Sequence, residues 1–338
     1  MEENFIQSSL TKEDKSFEIP LRPISLNEFI GQDSIKKRLD IYIGAAKKRN
    51  ESLGHMLFSG PPGLGKTTLA NIIAKTMNTN IVVTSGPVIE KPGDLAGILT
   101  SLKEHDILFI DEIHRLNKAI EEYLYPAMED FTLDLLIDSG PNARGVSVKL
   151  NKFTLIGATT RAGLLSSPLR SRFSFNARLD YYTAEDLQEI ITRTAKILNI
   201  QLDDAAAMSI AKRSRGTPRI ANNLIKWVRD YIQMQNKKIV DIDVANLALE
   251  MLSIDAEGLD EMDKRILNTI IDHYNGGPVG ISTIGVAIGE ESLTLQEVNE
   301  PYLIMKGFLK RTPRGREVTK NGYEHMGKKY QNNHGELL

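Results

Sequence analysis

The sequence predicts an α/β domain built on a parallel sheet, followed by a small all-helical domain and a C-terminal winged helix. Three observations support this prediction. A glycine-rich loop lies between an apolar run and a helical segment within residues 55–77. Apolar residues recur at helical spacing between residues 183 and 252. Near the C-terminus, two short helical segments precede a hairpin-like stretch that is rich in Lys and Arg.

The composition limits the class of protein. A chain of 338 residues is long enough for two or three domains that each bury a core. The chain has no cysteine, which excludes a disulfide framework, a thiolate nucleophile and a zinc–thiolate site. The formal net charge of −2 means that any surface that attracts nucleic acid must be local. The acidic N-terminus and the lack of a long apolar run argue against a signal peptide and a membrane span, and the absence of cysteine is consistent with the cytoplasm, so we expect a cytoplasmic protein with no membrane association.

Residues 60–67 read GPPGLGKT, which fits the phosphate-binding pattern G-x-x-x-x-G-K-[ST]. Glycines such as Gly63 and Gly65 let successive backbone amides point at phosphate oxygens. Lys66 can reach the β- and γ-phosphates, and the Thr67 hydroxyl can ligate Mg²⁺. The loop therefore predicts a site for a nucleoside triphosphate, with ATP and Mg²⁺ as cofactors.

Four apolar runs predict the strands of the parallel sheet: 55–59, 80–84, 107–110 and 153–158. The third run ends in Asp111 and Glu112, at the edge where open parallel sheets place their ligands. We expect Asp111 to orient the Mg²⁺ shell and Glu112 to act as the general base on the attacking water. The fourth run leads to Thr159, our candidate for sensing the γ-phosphate.

Residues 168–173 read PLRSRF and contain two arginines. We expect one arginine to pair within its own subunit and the other to project outward. An arginine supplied across a subunit interface can accelerate phosphoryl transfer by about 10³–10⁵. The ordinary alternative is a surface ion pair, which contributes little.

Several longer blocks resemble the RuvB family of AAA+ ATPases, the bacterial motors of Holliday-junction branch migration. They are DILFIDEIHRL at 106–116, LYPAMEDF at 124–131, FTLIGATTRAGLLSSPLRSRF at 153–173 and RSRGTPRIANNLIKWVRD at 213–230. The resemblance extends from Leu21 to Gly327. It implies an ATP hydrolase with three domains: a large P-loop AAA+ ATPase domain at 1–182, an all-α lid domain at 183–254 and a winged-helix DNA-binding head domain at 255–338.

The resemblance also assigns roles to single residues. Arg172 would be the arginine finger that acts on a neighbouring subunit, and Arg219 would contact the γ-phosphate from the lid. Arg311 and Arg316 would contact DNA. The other nucleotide-contacting positions implied by the family are Leu21, Arg22, Gly63, Gly65, Lys66, Thr67, Thr68, Glu129, Asp130, Phe131 and Tyr182, with Phe29, Ile30 and Pro218 close by.

The C-terminal charge is unevenly placed. Residues 305–320 contain six basic residues and one acid. Helical segments at 281–288 and 293–305 suggest a helix-turn-helix, and 307–319 suggests a hairpin. Such a basic hairpin can contact the phosphate backbone of duplex DNA, whereas Phe308 alone offers little for base stacking. A solvated basic turn remains the alternative.

The family resemblance implies several partners: duplex DNA at Holliday junctions, further copies of the chain in a homohexamer, RuvA, and RuvC in a resolvasome complex. RuvA would dock on a hairpin at 135–150, which turns around 139–142. Val146 and Val148 would fill a partner groove or pair within the sheet. The chain lacks the glycine that the family has near Asp138 and the prolines that it has near residues 151–152, which bears on the RuvA contact. Ser174 replaces another family glycine, which bears on the reach of the finger.

Two other functions could use the same parts. A nucleotide-switched loader or initiator would bind DNA with slow turnover and no translocation. A transcription regulator would read bases with its winged helix while ATP sets its oligomeric state. Glu112 and Arg172 argue against a pure switch, and the poor base-reading chemistry of the hairpin argues against a regulator. We therefore expect an ATP-driven DNA motor that assembles as a ring.

Overall fold

The computed structural model describes two ranges of the chain, 21–136 and 145–330. Their contacts divide them into two compact units. The first unit comprises the described residues up to 190 together with Thr217–Arg219, and the second comprises 191–216 and 220–330. Within the described ranges, no helix is both long and apolar enough to cross a membrane. The boundaries expected after residues 182 and 254 stay predictions.

A five-stranded parallel sheet forms the centre of the first unit. Its strands are β1 (Met56–Ser59), β2 (Ile81–Ser85), β3 (Ile107–Asp111), β6 (Thr154–Thr159) and β7 (Phe175–Arg178). Their spatial order is β2-β3-β6-β1-β7. Every residue of β6 is buried, because this strand lies in the middle of the sheet and is covered on both faces.

The helices of the first unit bury apolar stripes around this sheet. They are α1 (Asp33–Arg49), α2 (Lys66–Met77), α3 (Pro92–Ser101), α4 (Lys118–Glu129) and α5 (Ser167–Ser171). Leu95 of α3 and Leu124 of α4 belong to one buried cluster with Leu155 of β6. This packing confirms the α/β class and holds the strand ends in a fixed order.

Two short antiparallel strands, β4 (Thr132–Leu136) and β5 (Gly145–Lys149), form the hairpin expected at 135–150. Leu133 lies opposite Val148 in the register of this pair. The turn expected at 139–142 lies outside the described residues.

The sequence patterns did not predict strand β7. Its residues alternate between buried Phe175 and Ala177 and exposed Asn176 and Arg178. Four residues with only two apolar members give too weak an alternating signal to distinguish a strand from a loop.

The helices of the second unit and the helix that leads into it follow the sequence periodicity. They are α6 (Ala184–Ile197), α7 (Asp204–Arg213), α8 (Pro218–Met234) and α9 (Ile242–Glu250), with a two-strand parallel pair β8 (Gln201–Leu202) and β9 (Ile239–Val240). Trp227 packs within this group and donates a hydrogen bond from Nε1 to the Ala248 carbonyl at 2.6 Å.

The rest of the second unit is a winged helix. Its elements are α10 (Glu261–Tyr274), α11 (Ile281–Ile288), α12 (Glu300–Met305), β10 (Leu309–Thr312), β11 (Gly315–Val318) and α13 (Lys320–His325). Strands β10 and β11 pair antiparallel, and Arg316 of β11 also bridges to Val279. The expected winged helix is confirmed.

The helix expected at 293–305 is present, with a change of hydrogen-bonding pattern inside it. The segment is α-helical at Ser292–Thr294, widens into a π-helical turn at Leu295–Asn299, and continues as α12. Pro301 explains the change, because it has no amide to donate and its ring would clash with the carbonyl of Glu297 in an α-helical register. The wider turn places Asn299 and Glu300, two consecutive polar residues, in the interior of the domain.

Candidate functional site

The phosphate loop joins β1 to the first turn of α2. Gly63 and Gly65 have φ values of +79° and +99°, which favour glycine. Helix α2 begins at Lys66, so its free amides face the loop, where they favour an anion. The side chain of Lys66 is buried, and its Nζ donates hydrogen bonds of 2.8 Å to the carbonyls of Gly60 and Pro61.

The charge of Lys66 depends on its burial. Burial lowers the pKa of Lys66 to about 8, an effect that Asp111 opposes and Arg219 reinforces. A buried ammonium that is held by carbonyl oxygens lacks a full counter-charge. An anion in the loop would supply this charge and would raise the pKa again.

The sheet brings the other predicted groups to the same edge. Ser59 at the end of β1 lies beside Thr159 at the end of β6. Strand β6 is also the neighbour of β3, which ends at Asp111. Thr159 is therefore placed between the phosphate loop and the acidic strand end, as its proposed sensing role requires.

The Thr159 side chain is held in a buried position. Its Oγ1 lies 2.9 Å from Nδ1 of His114 and accepts a hydrogen bond from the backbone amide of Arg161. His114 is not among the predicted site residues, yet its ring contacts the proposed sensor directly. The only sequence signal was its position two residues after Glu112.

Glu112 adopts a left-handed backbone conformation with φ of 47°, directly after β3. Its amide donates to the Asp111 carboxylate at 2.9 Å, and its own carboxylate accepts from Arg115 at 3.0 Å. The Glu112 side chain is 44% exposed. This exposed ion pair is weak enough to exchange for a bound water or substrate.

The oxygen donors at this edge suit a hard cation. Thr67 in the first turn of α2 offers a hydroxyl, and Asp111 offers a carboxylate. Both are oxygen ligands of the kind that Mg²⁺ prefers when it also binds phosphate. These residues fit the implied metal.

Two aromatic residues pack against the loop on its far side. Phe29 is buried, and a β-carbon at Gly65 would lie 3.0 Å from its ring. The hydroxyl of the buried Tyr182 donates to the Leu64 carbonyl at 3.2 Å, and burial raises the pKa of this hydroxyl. Leu21 is also buried. These apolar residues around the loop form the kind of surroundings that an adenine ring requires.

The segment Thr217–Arg219 belongs to the same unit and lies against Gly63. A β-carbon at Gly63 would be 2.7 Å from Cγ2 of Thr217 and 3.1 Å from Cβ of Arg219. Thr217 therefore packs directly against the phosphate loop. Arg219 thus lies beside the loop, and its contact with the γ-phosphate stays a prediction.

Arg172, the expected finger, caps α5 and is turned toward its own subunit. Its Nη2 donates to Glu129 at 3.0 Å, its Nη1 donates to the Pro168 carbonyl at 2.7 Å, and its guanidinium lies 4.4 Å from the ring centroid of Tyr125. Arg170 is exposed. The arginine that pairs internally is thus the one that the family assigns as the finger.

Ser174 and the segment after α4 complete this region. The Ser174 hydroxyl lies 2.8 Å from that of Tyr42 and donates to the His55 carbonyl at 3.1 Å, which anchors the chain behind the finger. Phe131 has φ of 53° and packs edge-on against Phe153, while Asp130 ends α4. Glu129, the first residue of this expected nucleotide-binding segment, contacts the finger.

In the second unit, the two predicted DNA-binding arginines share one buried carboxylate. Arg311 donates to Glu300 through Nε at 3.0 Å and Nη2 at 2.7 Å. Arg316 donates to the same carboxylate through Nε at 2.9 Å and Nη2 at 3.0 Å. The Arg311 side chain is 57% exposed and that of Arg316 is 13% exposed. Arg311 is therefore the more available of the two for a phosphate.

Glu300 was not predicted from the sequence. Burial by itself raises its pKa, but the hydrogen bonds from Arg311 and Arg316 outweigh that effect and hold the pKa below its ordinary value. The carboxylate thus stays charged and fixes both guanidinium groups. A single Glu before a proline gives no sequence signal for such a role.

Comparisons with known proteins match all of these parts. Residues 21–179 match the family described as the Holliday junction DNA helicase RuvB P-loop domain, 182–255 match the RuvB AAA lid domain, and 256–327 match the RuvB C-terminal winged helix domain.

Full-length relatives are also similar. The Holliday junction branch migration complex subunit RuvB of Protochlamydia amoebophila is 66% identical over 326 residues, which cover 96% of this chain and 98% of the relative. The protein of the same description from Chlamydia pneumoniae is 56% identical, over 96% of this chain and 97% of the relative.

A solved structure described as the Thermotoga maritima RuvB Holliday junction branch migration motor superposes with a TM-score of 0.84. It is 55% identical, and the match covers 92% of this chain and all of that one. The P-loop unit, the lid helices and the winged helix all agree with this similarity. This chain belongs to the RuvB family.

Proposed function

We propose that this protein is an ATP-hydrolysing motor that drives branch migration of Holliday junctions in DNA recombination and repair. One observation carries the proposal. A single sheet edge gathers a phosphate loop, a buried threonine and an acidic strand end, in a chain whose winged helix presents two fixed arginines. The named activity of its RuvB relatives supports the assignment.

ATP would bind with its phosphates at the amides of residues 63–66 and its adenine beside Phe29 and Tyr182. Lys66 would exchange its two carbonyl partners for phosphate oxygens. Thr67 and Asp111 would hold Mg²⁺, which neutralises phosphate charge when it is bound. Glu112 would turn from Arg115 to orient the attacking water and accept its proton.

Arg172 would act on the nucleotide of a neighbouring subunit in a ring, which we expect to be a hexamer. To do so, it would leave its present partner Glu129, which is 55% exposed, and also the Pro168 carbonyl and the Tyr125 ring. A triphosphate carries more negative charge than one carboxylate and would compete for the guanidinium. The segment of Glu129, Asp130 and Phe131 would approach the same nucleotide, since it contacts the finger.

The partners follow from the same family. The relatives are described as subunits of a branch migration complex, and we propose RuvA as the partner of the β4–β5 hairpin and RuvC as a further member on the same junction. Val146 on β5 is 41% exposed and offers an apolar contact for RuvA. Duplex DNA would bind at Arg311 and Arg316. We expect the protein in the cytoplasm, where both ATP and chromosomal DNA are available to a bacterial motor.

A junction-migration assay tests the proposal directly. The protein with RuvA, ATP and Mg²⁺ should separate a four-way junction with long homologous arms. Glu112→Gln should bind ATP with near-normal affinity yet lose most turnover and all migration, because the amide cannot accept the proton of the water. A loader or a regulator would bind the junction without moving it, so binding without migration by the wild-type protein would contradict a motor.

Binding of ATP should be accompanied by proton uptake. Free Lys66 has a pKa of about 8, and bound phosphates should raise it. Uptake should therefore be a large fraction of one proton at about pH 8.5 and should vanish at about pH 6.5, where Lys66 is already charged. Calorimetry in buffers of different ionisation enthalpy measures it. Lys66→Arg should remove this pH-dependent proton uptake. The control Lys75→Met, at the exposed end of α2, should keep it. If the Lys66→Arg protein took up as many protons as the wild type, Lys66 would not be the group that is protonated.

Mixing two inactive proteins tests whether the finger acts in trans. Arg172→Ala should lower turnover by about 10³-fold or more, because the transition-state charge loses its guanidinium partner. Lys66→Ala should lose ATP binding but keep its finger. Rings mixed from both should regain part of the ATPase activity measured by phosphate release. The control Arg170→Ala removes an exposed arginine two residues away and should keep most ATPase activity. If the mixed rings regained no ATPase activity, the finger would not act across subunits.

The two DNA-binding arginines should differ in degree. Arg311→Ala should weaken duplex binding and lower the slope of log K against log salt by about one. It should lower the melting temperature less than Arg316→Ala does, because Arg311 also donates to Glu300 but is itself 57% exposed. Arg316→Ala should also lower the melting temperature, because it leaves the buried Glu300 with one partner fewer. Lys328→Ala, which breaks an ion pair elsewhere in the domain, should leave the slope unchanged. Unchanged slopes for both hairpin variants would place the DNA on another surface.

A further inference from the structure

A second group of buried charges lies in the second unit, apart from the phosphate loop. Asp263 in the first turn of α10 is completely buried. It forms an ion pair of 3.0 Å with Nη1 of Arg215, which is itself 3% exposed. Burial of a charged pair at this depth is costly unless its geometry is well satisfied.

Arg215 is held from two sides. Its guanidinium lies 4.3 Å from the ring centroid of Tyr302, on α12, while its Nη1 also lies 3.9 Å from Asp260. Its backbone is left-handed, with φ of 55°, which is uncommon for a residue other than glycine. Both the main chain and the side chain of Arg215 are therefore in one defined position.

Asn299 extends this group toward the DNA-binding hairpin. Its Nδ2 donates to Oδ1 of Asp263 at 2.8 Å. The next residue along the chain is Glu300, whose two carboxylate oxygens each accept a hydrogen bond from Arg311 and one from Arg316. Asn299 and Glu300 are both buried where the π-helical turn meets α12.

These contacts, together with the peptide bond between Asn299 and Glu300, link four buried polar residues, which we call the buried relay. Its members are Arg215, Asp263, Asn299 and Glu300, all at most 3% exposed. One end holds the arginines of the hairpin. The other end lies four residues before Arg219 in the sequence, and Gly216 is the residue at which the chain leaves the second unit to form the segment beside the phosphate loop.

A role in stability alone does not account for the buried relay. Buried ion pairs contribute little to stability compared with well-packed apolar residues of the same size. Among the described residues, the Oδ1 of Asn299 is buried without a hydrogen-bond partner, which is a cost that an apolar residue would avoid. The relay does connect the hairpin arginines to Arg215, so that the positions of these side chains depend on the same set of polar contacts.

We propose that the buried relay couples nucleotide binding at Arg219 to the DNA grip of Arg311 and Arg316. The relay residues are positioning residues, because they touch neither ATP nor DNA. A change in the position of Arg219 moves Arg215 through the short connection between them, and the relay transmits this movement to Glu300. The inference rests on the proposed function as an ATP-driven DNA motor.

The test measures duplex affinity of the full chain by fluorescence anisotropy, once with ADP and once with ATPγS. The ratio of the two dissociation constants is the coupling between the sites, typically about 5- to 150-fold in such systems. Asp263→Asn removes the carboxyl group that pairs with Arg215, with almost no change of shape. It should bring the ratio close to one while duplex affinity with ADP changes less than about 3-fold.

A matched control lies on the same helix. Asp272 of α10 forms an exposed ion pair with Lys328, outside the relay. Asp272→Asn should keep the wild-type ratio. If the Asp263→Asn protein binds both nucleotides and also keeps the wild-type ratio, the relay proposal is overturned. If the wild-type protein neither hydrolyses ATP nor changes its duplex affinity with nucleotide, the proposed function fails, and the relay proposal fails with it.

A second variant keeps the test decisive if Asp263→Asn does not fold. Asn299→Leu removes the middle link. It deletes the unpartnered oxygen but also the hydrogen bond to the buried Asp263, so its melting temperature should fall by no more than a few degrees. Its coupling ratio should still approach one, whereas a purely structural role predicts the wild-type ratio. In the double variant the loss should be no larger than in either single variant, because one broken link already interrupts the relay. If the losses of coupling in the two single variants added up in the double variant, the two residues would act independently, and this result would contradict the relay proposal.

Discussion

The parallel register of three strands determines the chemistry of the first unit. Because β6 pairs with β1 on one side and β3 on the other, Thr159 is placed between the phosphate loop and Asp111. Parallel strands end at one edge, so residues that lie far apart in the chain meet there. The buried apolar residues of the sheet hold this arrangement, and substitutions at its core would disturb the site without touching it.

Two ion pairs hold the groups for which we propose catalytic roles. Glu112 is paired with Arg115, and Arg172 is paired with Glu129. The carboxylate of each pair is about half exposed, and exposed ion pairs contribute little to stability. Arg172 is more firmly held, because it also donates to the Pro168 carbonyl and lies over the Tyr125 ring. In the proposed motor, both side chains would exchange these partners when nucleotide is bound.

The second unit is organised by two buried carboxylates. Asp263 and Glu300 both lie almost completely out of solvent, and both are neutralised by arginines. Charged groups at such depth tolerate only a few arrangements, because a loss of one partner leaves an uncompensated charge. The proposed relay therefore lies in a region whose charged groups have few alternative arrangements.

The sequence alone predicted the fold class, the strands that carry the loop and the acidic pair, and the winged helix, because these depend on local patterns. Continuous apolar runs mark buried strands, and the spacing of Gly, Lys and Thr marks a phosphate loop. The RuvB resemblance is likewise confirmed. Strand β7 escaped prediction because four alternating residues carry too little signal.

Other features were decided only by the tertiary structure. The contact of His114 with Thr159, the pairing of Arg172 with Glu129 and the shared carboxylate of Glu300 each join residues from different elements. No local pattern records such a contact, since each partner alone is an ordinary polar residue in the chain. Their roles arise from burial and proximity, which exist only once the elements have packed together.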